Sequence, residues 1–236
     1  MDESIFKFKK FEILQNSSVM KVGTDGVLLG AVADCKDAKR ILDIGTGTGL
    51  IALMMAQSSE AMIDCIDINK HAVELAERNI LKSQWNDRIN IYFSSLQDFN
   101  PSVKYDLIIS NPPYFTNGII AADKNRALAR HTVELSYFHL ADNVARLLDN
   151  NGKFYVIYPA AQSKQFEIIA KEYNMFVDLK INIYPRHNLP VVRVISGYSK
   201  LKNPVIKEDT IILENDTRHD FTEQYKNLTR EYYINF

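Results

Sequence analysis

The sequence predicts an α/β chain built on a mostly parallel sheet, with helices on both faces and an antiparallel hairpin late in the chain. Three observations carry this. Short apolar runs alternate with segments of helical period from residue 40 onward, the pattern of strands joined by crossover helices. A glycine-rich stretch, LDIGTGTG (42–49), stands between the first buried run and the helix after it. A later apolar run, YDLII, is cut off by SNPPYF (110–115), where two prolines that cannot donate a backbone hydrogen bond end the strand.

Taken in order, IFKFKKFEILQ (5–15) alternates imperfectly and reads as one or two short strands. TDGVLLGAVA (24–33) is a short helix with Thr24 or Asp25 near its start, where a side-chain oxygen can cap free amides. RILDI (40–44) is a buried strand and GLIALMMAQ (49–57) a helix. AMIDCID (61–67) is the next strand, and KHAVELAERNILK (70–82) is an amphipathic helix. INIYF (89–93) and YDLIIS (105–110) are further strands. ELSYFHLADNVARLLDNNG (134–152) reads as one long helix closed by Gly152. KFYVIYP (153–159) is a strand and SKQFEIIAKEY (163–173) a helix. VDLKINIYP (177–185) and VVRVISGYSK (191–200), joined by PRHNLP, form the antiparallel pair.

Composition narrows the class. The 236 residues, 46% of them hydrophobic, suffice for one large α/β domain and leave no room for wholesale disorder. A single domain over 1–236 is expected, with 1–38 as an N-terminal extension over the substrate or cofactor. The net charge of −1 does not announce a nucleic-acid binder. Locally, however, Leu179 to Lys207 holds no acid but six cations, Lys180, Arg186, Arg193, Lys200, Lys202 and Lys207. That stretch is either a solvated strand pair or a contact surface for a polyanion. Cys35 and Cys65 sit in apolar surroundings without metal-ligand spacing, which fits buried free thiols in a reducing compartment. The five histidines are scattered, so no metal site is expected. MDESIFKFKK lacks the apolar core of a signal peptide, and no run is long enough to span a bilayer. A cytoplasmic protein away from membranes is the expectation.

In LDIGTGTG, Gly45, Gly47 and Gly49 let the backbone turn tightly and approach a ligand without Cβ clashes. Free amides at the start of the following helix favour anionic or polar groups. The spacing is G-x-G-x-G, not the G-x-G-x-x-G of the dinucleotide fingerprint. Asp43 lies within the turn, where it would repel a pyrophosphate and suit a cationic or amine-bearing ligand. Asp67 ends the next strand, where an acid can accept two ribose hydroxyls. Asp43, the three glycines and Asp67 together closely resemble the S-adenosylmethionine site of class I methyltransferases. The resemblance implies their Rossmann-like sheet and that cofactor, held by these residues and Ile68. One departure stands out. In that class an acid or amide after the third strand usually reads the cofactor's adenine amine. This chain has Ser94-Ser95-Leu96-Gln97-Asp98, with Ser95 in the aligned place. Ser95, Gln97 or Asp98 substitutes, or backbone groups read the adenine alone.

Asn111-Pro112-Pro113-Tyr114 ends a strand on the side where open α/β sheets bind ligands. It matches the [D/N/S]-P-P-[Y/F/W] signature of methyltransferases acting on planar nitrogen. An exocyclic amine conjugated to a ring is a poor nucleophile because its lone pair is delocalised. The Asn111 side-chain oxygen and the Pro112 carbonyl can both accept hydrogen bonds from it, turning the lone pair towards a methyl donor. Catalysis is then positioning plus electrostatics. The prolines pre-aim the carbonyl, and Tyr114 offers a flat face for stacking. Adenine N6, guanine N2 and a glutamine amide are all acceptors of this kind.

VMKVGTDGVLLGAVA (19–33), together with FKFKKFEI, NPPYF, ALARHTVELSYFHLA (127–141), G-KFYVIYP (152–159) and LTREYYINF (228–236), is similar to the bacterial tRNA1(Val) adenine-N6 methyltransferase family over essentially the whole chain. The resemblance implies that the chain methylates the adenine just 3′ of the anticodon in a valine tRNA. It also implies that Lys21, Gly23, Thr24 and Asp25 lie over the methionine end of the cofactor. Arg126, Arg130 and His131 follow the NPPY loop and either meet phosphates near the flipped base or lie on the surface. Arg186 is a further candidate RNA contact. Phe6, Phe8 and Phe11, interleaved with Lys7, Lys9 and Lys10, either stack bases or form a half-buried edge strand. Rival readings are a guanine-N2 methyltransferase of ribosomal RNA, a glutamine-N5 methyltransferase of the release-factor type, and a binding module without turnover.

Overall fold

The computed structural model of the chain describes residues 3–113 and 136–236. Strands β1 (Ser4–Lys7) and β2 (Glu12–Gln15) form a separate antiparallel hairpin. The main sheet is formed by β3 (Arg40–Ile44), β4 (Met62–Asp67), β5 (Ile89–Phe93), β6 (Tyr105–Ser110), β7 (Leu148–Pro159), β8 (Phe176–Tyr184), β9 (Arg193–Ser199) and β10 (Lys207–Ile212). Its order is β10-β8-β9-β7-β6-β3-β4-β5. β9 alone runs antiparallel to its neighbours β7 and β8, and the remaining pairings are parallel. The helices are α1 (Thr24–Val32), α2 (Leu50–Ser58), α3 (Lys70–Leu81), α4 (Tyr137–Leu147), α5 (Ala160–Glu172) and α6 (Glu223–Thr229).

Side chains alternate across each strand, so consecutive residues feed two different cores. Ile41, Ile63, Leu107 and Ile109 pack with α1, α2, α3 and the N-terminal hairpin. Leu42, Ile66, Tyr105 and Ile108 pack with α4 and α5 on the other face. Within the first layer α1 lies close on α2. A Cβ at Gly30 would stand 2.7 Å from Met54 Sδ, so any larger residue there would displace the Met54 side chain. No helix among the described residues is long and apolar enough to cross a membrane. Cys35 and Cys65 are free and buried, and burial pushes both thiols up in pKa.

Four features differ from the sequence reading. The helix expected to close at Gly152 ends at Leu147, and Leu148 already pairs with Tyr105. Asp149 accepts the Asn151 amide at 3.1 Å, a local turn that Asp and Asn favour over helix. Gly152 packs beside the Tyr105 carbonyl, where a Cβ would stand 2.8 Å away. It therefore serves strand packing and caps no helix. Second, α5 begins three residues earlier than expected, straight after Pro159. Third, α1 is preceded by Gly23, and neither Thr24 nor Asp25 caps it with a side chain. Fourth, β10 and α6 are additional to the expected elements. KEDTII is an exposed edge strand without apolar alternation, whereas Thr222, which accepts the Tyr225 amide, is a readable N-cap.

The aromatic residues at the two ends of the chain meet. Phe8 and Phe11 are buried, Phe8 stacking on Phe11 at 4.6 Å and on Tyr233 at 5.7 Å. They are packed inside the protein and are not presented to bases. Lys9 donates to the Phe236 carbonyl at 2.8 Å and also to that of Arg230, which ties the hairpin turn to the C-terminal segment. Four cations of the acid-free stretch are likewise engaged within the protein. Lys180 pairs with Glu167, Arg186 with Glu214 and Arg193 with Asp25, and Lys200 donates to the Leu148 carbonyl.

Candidate active site

Parallel strands place the ends of β3, β4, β5 and β6 on one side of the sheet, and a cavity of about 720 Å³ opens there. Its floor is the loop between β3 and α2. Gly45, Gly47 and Gly49 adopt φ of +70°, +57° and +81°, values that L side chains resist. The Gly45 and Thr46 amides donate to the Ile66 carbonyl at 2.9 and 3.1 Å, which binds the loop to the end of β4. Asp67 adds a second tie: its Oδ2 accepts the Gly47 amide at 2.9 Å and its Oδ1 the Asn69 amide at 2.8 Å. A carboxylate has about four lone-pair sites, so it retains capacity for two ligand hydroxyls.

Of the residues singled out from sequence, Lys21, Gly23, Thr24, Asp25, Gly45, Gly47, Asp67, Ile68 and Asn111 line this cavity. Pro113 lines it as well, while Pro112 is buried behind the surface. Gly49 lies below the lining as the residue preceding α2. Asp43 also lies beneath the loop. Only 1% exposed, it accepts the Thr46 hydroxyl at 2.6 Å through Oδ2, and its Oδ1 has no hydrogen-bond partner. Burial pushes its pKa up to about 7, against the opposing pull of the Thr46 hydroxyl and the Ala52 amide. Its role here is to hold the loop from below.

Ser95 is turned away from the cavity. Its hydroxyl donates to Asp98 Oδ2 at 2.6 Å and accepts the Asp98 amide at 3.1 Å, so the two residues satisfy each other. Ser94, Leu96 and Gln97 line the wall instead. Asp25 Oδ2 receives Arg193 Nε at 2.9 Å, which joins α1 to the start of β9. Tyr114, Arg126, Arg130 and His131 lie outside the described residues.

The cavity suits an adenosyl amino acid in three respects. α1 and α2 both start at it after glycines that offer no side-chain cap, so amides of their first turns can bind a carboxylate, apart from the Ala52 amide, which faces Asp43. The Asp67 carboxylate is positioned for vicinal hydroxyls. Ile68 and Leu96 provide apolar surface for a planar base, and Gln97 lines the cavity with them. Ser110, at the end of β6, donates its hydroxyl to the Ile44 carbonyl at 2.9 Å and so fixes the base of the Asn111-Pro112-Pro113 turn against the glycine loop. Gly26 of α1 faces the same turn. A Cβ there would stand 3.2 Å from Leu50 Cδ2 and 3.8 Å from Asn111 Nδ2.

Known proteins resemble this chain over its whole length. A family model described as methyltransferase small domain matches residues 22–173. A protein of Phocaeicola vulgatus named tRNA1(Val) (adenine(37)-N6)-methyltransferase is 42% identical over 236 residues, covering 100% of both chains. A protein of the same name from Bacteroides thetaiotaomicron is 39% identical and covers 99% of both chains. Among solved structures, a predicted O-methyltransferase from Agrobacterium tumefaciens superposes with a TM-score of 0.64 at 18% identity, covering 88% of this chain and 96% of that one. A putative RNA methyltransferase from Pyrococcus horikoshii gives 0.55 at 19% identity, covering 75% and 81%. At these identities the structural likeness speaks to the fold.

Proposed function

The chain belongs to the tRNA1(Val) (adenine(37)-N6)-methyltransferase family, and on that premise we propose that it transfers a methyl group from S-adenosylmethionine to N6 of the adenine next to the anticodon of a valine tRNA. The observation that carries this reading is the placement of Asn111 and Pro113 on the same cavity as the glycine loop and Asp67. A planar-nitrogen motif is thus set beside a cavity suited to the cofactor. We further propose one methyltransferase domain over 1–236, in which residues 1–38 cover the cofactor.

S-adenosylmethionine supplies an electrophilic methyl group on a sulfonium centre. First-turn amides of α1 and α2 would hold its carboxylate, with Lys21, Gly23, Thr24 and Asp25 over that end. Gly45 and Gly47 form the floor. Asp67 would accept from the ribose hydroxyls, and Ile68 would pack on the base. Gln97, which lines the cavity, would take the adenine-reading role, since the Ser95 hydroxyl is engaged by Asp98. Arg193 holds the Asp25 carboxylate to one side.

The target adenine leaves the anticodon-loop stack, at a cost of a few kcal/mol, and stacks on Tyr114. The Asn111 side-chain oxygen and the Pro112 carbonyl would accept hydrogen bonds from the two N6–H groups and so present the nitrogen lone pair to the methyl donor. The proton is released after transfer, so no strong base is required. Of the cations proposed for RNA contact, Arg126 and Arg130 follow the catalytic turn in sequence, whereas Arg186 is paired with Glu214.

The test is methyl transfer from labelled S-adenosylmethionine to unmodified total tRNA, followed by nuclease digestion and mass spectrometry of the nucleosides. N6-methyladenosine confined to a valine tRNA is the expected product. Label on ribosomal guanine or a release-factor glutamine would keep the chemistry and replace the substrate.

A further inference from the structure

We propose that Asn79 is a positioning residue of the cofactor cavity, its single carboxamide setting the glycine loop and the N-terminal cover at a fixed distance from each other. The inference rests on the cavity being the S-adenosylmethionine site. Asn79 belongs to the last turn of α3 and is 1% exposed. Its Oδ1 accepts the Leu14 amide at 2.8 Å, and its Nδ2 donates to the Leu14 carbonyl at 3.0 Å. The carboxamide thus pairs with β2 as a neighbouring strand would. The same Nδ2 donates to the Thr48 carbonyl, in the glycine loop, at 2.9 Å. Both donor hydrogens are used, and three backbone groups from two distant segments converge on one side chain.

Each of those segments leads directly to a cavity wall. On the loop side, α3 presents Ala72, Ala76 and Asn79 on one face at helical spacing. Ala72 lines the cavity, and a Cβ at Gly49 would stand 3.4 Å from that of Ala76. On the cover side, Leu14 is followed by Gln15, whose Oε1 accepts the Val22 amide at 2.9 Å. That bond closes the turn from which Ser18, Val19, Met20 and Lys21 line the opposite wall. The two walls approach each other there, since a Cβ added at Gly47 would fall 3.7 Å from Val19 Cγ1. Asn143 provides the contrast. It is also buried in a helix, but it donates to the His139 carbonyl of its own helix and accepts from Arg146, both within α4. An apolar side chain at position 79 would leave the Leu14 amide and the Leu14 and Thr48 carbonyls unpaired, and would free the walls to separate.

The experiment measures S-adenosylmethionine Kd by calorimetry, kcat at saturating cofactor on tRNA, and Tm, all on the full chain. Asn79→Ala is expected to raise Kd and cofactor KM about tenfold or more, with kcat at saturation within about threefold. Gln15→Ala raises Kd several-fold, and the double variant changes it by less than the product of the two, because both residues hold the same wall. The comparator Asn143→Ala lowers Tm and leaves Kd alone. An Asn79→Ala chain that melts earlier but binds within about twofold of wild type overturns the proposal, as does an equal rise in Kd for Asn143→Ala. If Asn79→Ala does not fold, an unchanged Kd for Gln15→Ala overturns it. Wild type that binds the cofactor but methylates no tRNA would sink the substrate reading and leave the positioning role to be judged on Kd alone.

Discussion

Two strand ends face the same cavity and are built on opposite rules. The end of β3 runs into three glycines in left-handed conformations, the chain chemistry with the least stiffness of its own. Its shape is imposed from outside. The Ile66 carbonyl takes two of its amides, the Asp67 carboxylate takes the Gly47 amide, and Asn79 takes the Thr48 carbonyl. The end of β6 runs into Pro112 and Pro113, whose rings fix φ and remove the donors. It carries its stiffness in its covalent structure, and the Ser110 hydroxyl tethers it to the Ile44 carbonyl at 2.9 Å. A loop that lets a ligand approach its backbone gives up its own stiffness and borrows it from neighbours. A turn that aims one oxygen keeps its own. Damage at the first end therefore spreads from residues that never touch the ligand and registers in affinity. Damage at the second stays local and registers in turnover.

The largest effect expected from this contrast is at Asn111. With the proposed acceptor oxygen removed, Asn111→Ala should lose a factor of about 10²–10³ in single-turnover rate, the size seen when one oriented polar contact to a reacting group is deleted. Its cofactor Kd should stay within about threefold. A variant whose Kd rises while its single-turnover rate holds would invert the comparison. Next comes Gly49→Ala. The nearest atom to the new methyl, Ala76 Cβ, is 3.4 Å away, so space is available, and the cost lies in the φ of +81°. That conformation costs an L residue roughly 1–2 kcal/mol. Denaturant titration should find the stability lower by about that amount, with cofactor Kd several-fold weaker and the saturated rate little changed. A fall confined to kcat would mean that the two ends are not separable.

The divided construction also explains what the sequence reveals and what it hides. Glycine and proline act through their own backbone chemistry, so LDIGTGTG and NPPY are legible as motifs, and the alternation of strands and helices gives the parallel sheet between them. The supports are hidden because each is a long-range pairing. Asn79 is 65 residues from Leu14, and Arg193 is 168 from Asp25. A polar residue in an amphipathic helix reads as solvent-facing until the fold brings a strand edge against it. The cations of 179–207 resemble a docking surface for the same reason, since their acids, Glu167, Glu214 and Asp25, lie outside that stretch. The order of residues after β5 leaves Ser95, Gln97 and Asp98 all open as readers of the cofactor's adenine, and only the fold shows that Ser95 and Asp98 bond to each other. Gly152 reads as a helix end because Asn-Asn-Gly is a common way for a helix to stop. Only the pairing of Leu148 with Tyr105 reveals that the helix has already given way to strand.

The smallest expected effect concerns Asp43, the support that responds to pH. Its ordinary pKa is 3.8, and burial raises it to about 7 in the folded protein. The sign follows from which state holds the proton. Between about pH 4 and pH 7 the unfolded chain has lost the Asp43 proton while the folded chain retains it, so this carboxyl's contribution is complete below that window and fades as pH rises through it. The carboxamide of an Asp43→Asn variant would be neutral throughout and would still offer an oxygen to the Thr46 hydroxyl. Whatever the offset between the Tm values of wild type and Asp43→Asn at about pH 5, the difference should move in favour of the variant up to about pH 8 and then level off. Nothing comparable should accompany Asn111→Ala, whose turn contains no buried acid. A flat difference for Asp43→Asn would mean that the carboxylate is ionised under the loop across this range. The glycine end would then be held from below by charge as well as by hydrogen bonds, and the contrast with the proline end would be sharper than geometry alone makes it.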